Sequence, residues 1–159
     1  MAFSSAIFLF VFFPVVFGAE RLAPRIRGKN AVLLAFSLLF YCFGDLGHLP
    51  LLIFSILLNW GSGLILSAMP GERKRARRAV MTLAAVLDLG CLGAYKYLGF
   101  LLGTVNALLG LSLPAPGFSL PLGISFFTFT GLSYVIEVYR KPALASKDPV
   151  KVGLYIALF

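Results

Sequence analysis

The fold of this chain is indicated most strongly by the stretch LPLGISFFTFTGLSYVIEVYRK, residues 120–141. Its run of about 20 mostly apolar residues matches the length that a helix needs to cross a hydrocarbon core of about 30 Å. Hydroxyl side chains are nevertheless spread along it, and a helix that faced only lipid would not need them. The stretch therefore predicts a membrane helix with a polar seam, formed by Ser125, Thr128, Thr130, Ser133 and Tyr134.

The composition of the 159 residues is that of an integral membrane protein. It is 60% hydrophobic, with 16 Phe and only 13% charged residues, and its mean hydropathy is +0.95. Soluble domains are far less apolar. We therefore predict an all-α, polytopic membrane protein with about five transmembrane helices, an interfacial or re-entrant helix, and the start of a further helix.

The net charge of +8 comes from basic residues gathered in short segments between apolar runs. Such segments normally face the cytoplasm, so residues 20–30, 70–78 and 140–151 are predicted to be cytoplasmic and the N-terminus to lie outside. The lipid bilayer is the expected partner, because basic clusters also attract anionic headgroups, and nucleic acid is not. The three clusters are Arg21, Arg25, Arg27 and Lys29; Arg73, Lys74, Arg75, Arg77 and Arg78; and Arg140, Lys141, Lys147 and Lys151.

The apolar runs before the second basic cluster predict three helices. Residues 3–19 read as a retained helix rather than a signal peptide, because basic residues follow the run instead of preceding it. Pro14 is expected to kink this helix. Residues 31–44 and 49–69 predict a helical hairpin whose tip, the turn GDLGH at residues 44–48, faces out. The alternative for the short first arm is that it enters the membrane only partway and returns.

The runs after the second basic cluster predict an even number of crossings before the third. Residues 79–95 form one crossing and the opening stretch forms the other, so residues 98–113 are predicted to be the interfacial or re-entrant helix. Gly99 and Gly103 in that run match a weak helix-contact pattern. Residues 150–159 start another run, and a sequence that stops inside it is expected of an N-terminal piece of a longer protein.

Two polar side chains lie in the middle of predicted membrane helices. Asn59 belongs to a small, hydrogen-bonding face that either packs on another helix or lines a cavity. Asp88 is a stronger signal, because a charge at that depth costs at least ~2.5 kcal/mol. We expect this cost to be lowered either by a hydrogen bond from Asn59 on a neighbouring helix or by protonation of Asp88. The face around Asn59 also contains Ser55, Ser62 or Gly63, and Ser67.

On the opening stretch, one helical face is predicted to carry Gly123, Phe127, Thr130, Tyr134 and Glu137. Glu137 is spaced to meet Arg140 or Lys141. Either this end simply anchors at the cytoplasmic surface, or it begins a polar strip that leads from the cytoplasm into the protein.

Neither the cysteines nor the histidine predicts a metal site. Cys42 and Cys91 lie inside apolar runs without metal-ligand or disulfide spacing and are expected to be packing residues. His48 has no nearby Cys or second His, so no bound metal is predicted.

Several blocks, in order, resemble the membrane-bound O-acyltransferases, in the bacterial branch of alginate O-acetylation and D-alanine transfer proteins. The last block is the most specific, and the alginate type is the more similar. The family commonly has Gln, Asp and Asn where this chain has Thr130, Glu137 and Gly99, which leaves the acceptor open. The blocks are FSSAIFLFVFFP (3–14), SLLFYCFG (37–44), SILLNWGSGLIL (55–66), KYLGF (96–100) and LPLGISFFTFTGLSYVIEVYR (120–140).

The resemblance implies that residues 1–159 are the N-terminal part of one membrane-embedded acyltransferase domain in the bacterial cytoplasmic (inner) membrane. It implies acyl transfer, of acetyl above all, from a thioester donor such as acetyl-CoA or an acyl carrier to a hydroxyl of an extracytoplasmic polysaccharide. Other polysaccharide-acetylation or export proteins are the implied partners.

No catalytic residue is carried over to this chain by the resemblance. The family's catalytic histidine, a general base in a membrane funnel, is expected downstream of Phe159, and His48 in an outward turn does not match it. The candidates for a funnel wall or substrate path are Asn59, Asp88, Ser125, Thr128, Tyr134, Glu137 and Arg140.

Two other classes of protein stay open at this point. One is a small transport or channel subunit in which Asp88 and Asn59 line an ion path, although no inverted repeat supports it. The other is a non-catalytic membrane assembly partner.

Overall fold

The computed structural model describes residues 8–110, 114, 121 and 123–158, and every regular element among them is helical. Short turns of other helix types lie at Phe8–Phe12, Leu46–His48 and Pro142–Leu144. The α-helices are α1 (Phe13–Leu22), α2 (Ile26–Asp45), α3 (Leu49–Ala68), α4 (Lys74–Leu109), α5 (Ile124–Arg140) and α6 (Pro149–Ala157).

Helix α3 lies at the centre of the bundle and packs against α4, α5 and α6. Its contact with α5 is the most extensive, and α5 in turn packs against α4. The core between them consists of branched apolar side chains, as expected where helices interlock closely. Among its most deeply buried members are Leu52 and Leu66 of α3, Val135 and Val138 of α5, and Val152 and Ile156 of α6.

The predicted hairpin of α2 and α3 is present, but its two arms are held apart by α6. Their contacts with each other are few, whereas α6 packs against both. At Gly153 of α6, an added Cβ would lie 3.2 Å from Leu34 of α2 and 3.4 Å from Ile56 of α3. Residues of both arms therefore contact the same point on α6, which shows that the chain reverses direction at the Leu46–His48 turn.

The prediction of a separate interfacial or re-entrant helix at residues 98–113 is wrong for the part that the structure describes. Residues 98–109 continue α4, which is a single helix of 36 residues. At 1.5 Å per residue it is about 54 Å long, well beyond the thickness of a hydrocarbon core. Gly99 and Gly103 do not break it, because glycine costs a helix only about 1 kcal/mol and the run contains no proline. An added Cβ at either glycine would meet nothing within 4 Å.

The first α-helix begins close to Pro14, the residue at which a kink is predicted. The wide π-type turn Phe8–Phe12 directly precedes α1, and Pro14 occupies its first turn. A proline there removes a backbone donor that the preceding turn would otherwise use. The predicted start of this helix at residues 3–7 lies outside the described residues.

All three basic segments meet at one end of the bundle. Arg27 Nε lies 3.9 Å from Asp148 Oδ2, which joins the first segment to the third. Arg77 Nη2 donates to the backbone carbonyl of Tyr139 at 2.8 Å, which joins the second segment to the residue directly before the third. The opposite end is marked by the Leu46–His48 turn, where the rings of His48 and Tyr95 are 5.7 Å apart.

The chain is an all-α membrane protein. By length and hydropathy, two of its described helical stretches are suited to crossing a bilayer: Ile26–Ala68, which includes the turn between α2 and α3, and Lys74–Leu109. Large apolar side chains cover much of the outer surface, and Leu22, Phe10, Phe100 and Leu108 are each more than 70% exposed. Such a surface suits lipid rather than water.

Candidate functional site

A buried polar layer joins α3 to α4 in the middle of the bundle. Ser55 Oγ donates to Asp88 Oδ1 at 3.4 Å. Asn59 Nδ2 donates to the Ser55 carbonyl at 2.8 Å and lies 3.4 Å from Ser55 Oγ. Asn59 is 0% exposed and Asp88 is 3% exposed. The predicted partnership between Asn59 and Asp88 is therefore bridged by Ser55.

The position of Asp88 follows from the narrow face that α4 presents to the bundle. Only Ala84, Asp88 and Leu92 of this helix are buried. They are spaced by four residues, so they form one stripe along the helix. Asp88 is at the centre of this stripe, which directs its carboxyl group into the bundle rather than toward lipid.

Two oxygens of the polar layer are buried without a hydrogen-bond partner among the described residues: Asp88 Oδ2 and Asn59 Oδ1. A buried unsatisfied acceptor costs about 1–3 kcal/mol. Beside Asp88 is a small space of about 10 Å³, also lined by Ser55, Thr128 and Cys91. This space is about that of one water molecule, so the layer is suited to one small hydrogen-bonding partner or to a proton on the acid.

Helix α5 closes this layer through two close approaches to α3. An added Cβ at Gly131 would lie 2.8 Å from Asn59 Cγ. An added Cβ at Gly63 would lie 2.8 Å from the Tyr134 hydroxyl oxygen. Each glycine therefore receives a polar side chain of the other helix, which is how small residues let membrane helices approach.

Tyr134 links the layer to the basic end of the bundle. Its side chain is buried, and its hydroxyl accepts a hydrogen bond from the Ser146 backbone N–H at 3.2 Å. Two residues later, Asp148 Oδ1 accepts from the Val150 N–H at 3.1 Å and so caps α6. Tyr134 thus positions the connection that leads into α6.

The polar residues of α5 are divided between two faces, which corrects the single face predicted from the sequence. Phe127, Thr128 and Tyr134 are buried, whereas Ser125 and Thr130 are only half-buried and line a shallow hollow on the outside of the helix. Hydroxyl side chains occur on both sides of α5, so they do not identify its buried face. The predicted face is therefore displaced by about one residue from the face that is buried. The buried face consists of Ile124, Phe127, Thr128, Gly131, Tyr134, Val135 and Val138.

Two further predicted site residues lie outside the bundle interior. Glu137 and Arg140 are exposed. The carboxylate of Glu137 forms no ion pair with Arg140, Lys141 or any other described residue, so the predicted pairing is wrong. Of the seven candidates, the structure brings together Asn59, Asp88, Thr128 and Tyr134 in the interior.

The roles of Gly131 and Arg77 are not predicted from the sequence. Gly131 had no signal beyond being a small residue among hydroxyls. Arg77 was counted with a cytoplasmic cluster, yet it bonds the last turn of α5 and its guanidinium lies 5.5 Å from the Tyr139 ring centre. His48, the only histidine of the sequence, pairs with Asp45 at 2.8 Å. It lies in the Leu46–His48 turn and not in the buried layer, which therefore contains no imidazole base.

The fold and the buried polar layer define a helical membrane protein with hydrogen-bonding groups inside the bundle. No family model matches the chain, and no solved structure matches it. Its sequence is nevertheless similar over its whole length to a probable alginate O-acetylase of Azotobacter vinelandii (35% identity, 100% of this chain, 32% of the relative). The probable alginate O-acetylase of Pseudomonas aeruginosa is also 35% identical, again over 100% of this chain and over 31% of the relative.

The name of a third relative specifies a different polymer, peptidoglycan. The peptidoglycan O-acetyltransferase of Helicobacter pylori is 31% identical over 89% of this chain and 27% of its own length. The chain therefore spans about a third of the length of the curated relatives that it matches. These similarities confirm the resemblance to bacterial membrane-bound O-acyltransferases.

Proposed function

We propose that this chain is the N-terminal part of a membrane-bound O-acyltransferase that transfers an acetyl group to a hydroxyl of an extracytoplasmic polysaccharide. The observation that carries the proposal is the similarity to alginate O-acetylases along all of the chain. The peptidoglycan O-acetyltransferase among the relatives supports a polysaccharide as the class of acceptor. The donor in this proposal is an acyl thioester, and other acetylation or export proteins are partners.

In this proposal the chain supplies scaffold helices and one wall of the path to the reaction centre. The general base in this proposal is an imidazole outside residues 1–159, because His48, the single histidine of these residues, lies in the Leu46–His48 turn and not in the buried layer. The buried layer of Ser55, Asn59 and Asp88 holds α3, α4 and α5 in register next to that path. The protein is a multi-pass protein of the bacterial cytoplasmic membrane, and its basic end faces the cytoplasm.

The test uses the intact natural protein in bilayer vesicles, with acetyl-labelled donor on one side and polysaccharide on the other. Wild-type protein is expected to form acetyl esters. Asp88→Asn keeps an acceptor for Ser55 and is expected to retain at least about a third of the rate. Asp88→Leu leaves the Ser55 hydroxyl buried without that acceptor and is expected to lose about tenfold or more, since about 1.4 kcal/mol is tenfold.

Leu89→Ala, on the exposed side of the same helix turn, is the control and is expected to leave the rate unchanged. Absence of acetyl transfer by the intact wild-type protein would overturn the proposal. Proton or ion flux that disappears in Asp88→Asn, without any acetyl transfer, would instead establish the transport alternative.

A further inference from the structure

A polar groove of about 590 Å³ lies at the basic end of the bundle, between the start of α2 and the connection into α6. The first and third basic segments, more than 100 residues apart in the sequence, form its two sides. The charged and hydroxyl groups that line it are Arg27, Ser146, Lys147, Asp148 and Lys151.

The groove has an excess of positive charge that the described residues do not balance. Its one carboxylate, Asp148, both caps α6 and lies 3.9 Å from Arg27 Nε. Lys147 and Lys151 are exposed and form no ion pair with any described residue. The Arg27 side chain is itself 87% exposed, so its guanidinium remains accessible to a ligand in the groove. Three cations against one carboxylate leave a site suited to an anion.

The neighbours of the groove indicate an anion that carries apolar chains. Ile26, beside Arg27, is 74% exposed, and Leu144, two residues before Ser146, is 52% exposed. Basic pockets between helices at the cytoplasmic surface of membrane proteins take phospholipid headgroups. We propose that this groove binds the phosphate of an anionic phospholipid, with Lys147 and Lys151 as its main contacts and Arg27 completing the site.

A second basic patch provides a matched comparison. Arg73, Lys74 and Arg75 lie together at the start of α4, next to Glu72. They belong to a single segment, so no second wall encloses a headgroup there. General attraction to a charged membrane would involve both patches equally, whereas a specific site would involve only the groove.

The experiment measures lipid retained by the full natural protein, purified in mild detergent, by native mass spectrometry with added phosphatidylglycerol or phosphatidylcholine. The wild type is expected to retain phosphatidylglycerol and not phosphatidylcholine. Lys147→Gln with Lys151→Gln is expected to weaken phosphatidylglycerol binding about 30-fold, from the contribution of two basic residues near an anionic headgroup. Lys74→Gln with Arg75→Gln, the same change of charge, is expected to stay within about threefold of wild type.

Lys147→Arg with Lys151→Arg preserves both charges and is expected to bind like the wild type, with unchanged thermal unfolding in all variants. Equal weakening by the two glutamine pairs would overturn the proposal in favour of general surface charge. Displacement of the lipid by free coenzyme A would overturn it in favour of a soluble phosphate ligand. The measurement does not depend on acetyl transfer, so its failure leaves the proposed function standing.

Discussion

Gly131 sets how closely α5 approaches the polar layer on α3. Its backbone faces the Asn59 amide, and an added Cβ would lie 2.8 Å from Asn59 Cγ, closer than Cβ atoms pack in proteins. Asn59 cannot withdraw easily, because its amide is bonded to the Ser55 carbonyl. A single methyl group at this position therefore forces the two helices apart or breaks the layer.

We expect Gly131→Ala to lower the stability of the protein by about 1–3 kcal/mol, the usual cost of overpacking a close contact. The measurement is thermal unfolding of the intact protein in detergent. Gly90→Ala is the control: an added Cβ there meets nothing within 4 Å, and alanine favours a helix by up to about 1 kcal/mol over glycine. Equal stability of the two variants would show that α5 does not approach α3 as closely as described.

Individual site residues can be predicted from the sequence where burying their side chains in a membrane costs free energy. Asp88 and Asn59 stand out in any apolar run, because polar groups at that depth require partners. Gly131 and Gly63 do not stand out, because nothing in one sequence tells which of its glycines faces a neighbouring side chain. Tyr134 was named as a site residue, but its partner, the Ser146 backbone N–H, became apparent only in the fold.

Between helices, a side chain from the first turn of α4 forms a hydrogen bond to the last turn of α5. Arg77 Nη2 bonds the Tyr139 carbonyl at 2.8 Å, in the last turn of α5, where carbonyls lack partners within the helix. A cation there also complements the negative end of the helix dipole. The neighbouring Arg78 carries the same charge but is exposed and pairs with no described residue.

We expect Arg77→Gln to destabilise the protein by about 1–2 kcal/mol, because it removes a charged hydrogen bond to a backbone carbonyl. Arg78→Gln changes the charge equally and is expected to be neutral within about 0.5 kcal/mol. Hydrogen exchange provides a local measurement: amides near the end of α5 are expected to exchange faster in the first variant only. Similar exchange in both variants would contradict the capping role.

Helix boundaries were less predictable than helix positions. The apolar runs place the segments that lie in lipid, whereas the helices extend beyond them into basic segments: α2 begins at Ile26 and α4 at Lys74. The error at residues 98–113 has another cause. The even number of crossings between the basic clusters is met by two other helices, which assigned this run to the interface, but the backbone stays helical until Gly110, with φ of 63°, ends it.

In the complete bundle the three basic clusters lie at one end, so the orientation in the membrane depends only on which side that end faces. Charge alone placed each basic cluster separately. The Arg27–Asp148 and Arg77–Tyr139 contacts bring all three clusters to one end, so all face the same side. The turn with Asp45 and His48 lies at the other end, beside Tyr95.

We therefore expect an impermeant thiol reagent, added to intact cells, to label Gly47→Cys and to leave Arg75→Cys and Lys147→Cys unlabelled. All three positions are exposed, and the native cysteines of the protein, which include Cys42 and Cys91, are replaced by alanine so that they do not react. Permeabilised cells serve as the control, in which all three probes are expected to react. The reverse pattern would overturn the cytoplasmic orientation of the basic end. Labelling of Arg75→Cys and Lys147→Cys from opposite sides would contradict the fold itself, because the contacts among the clusters require an even number of crossings between those residues.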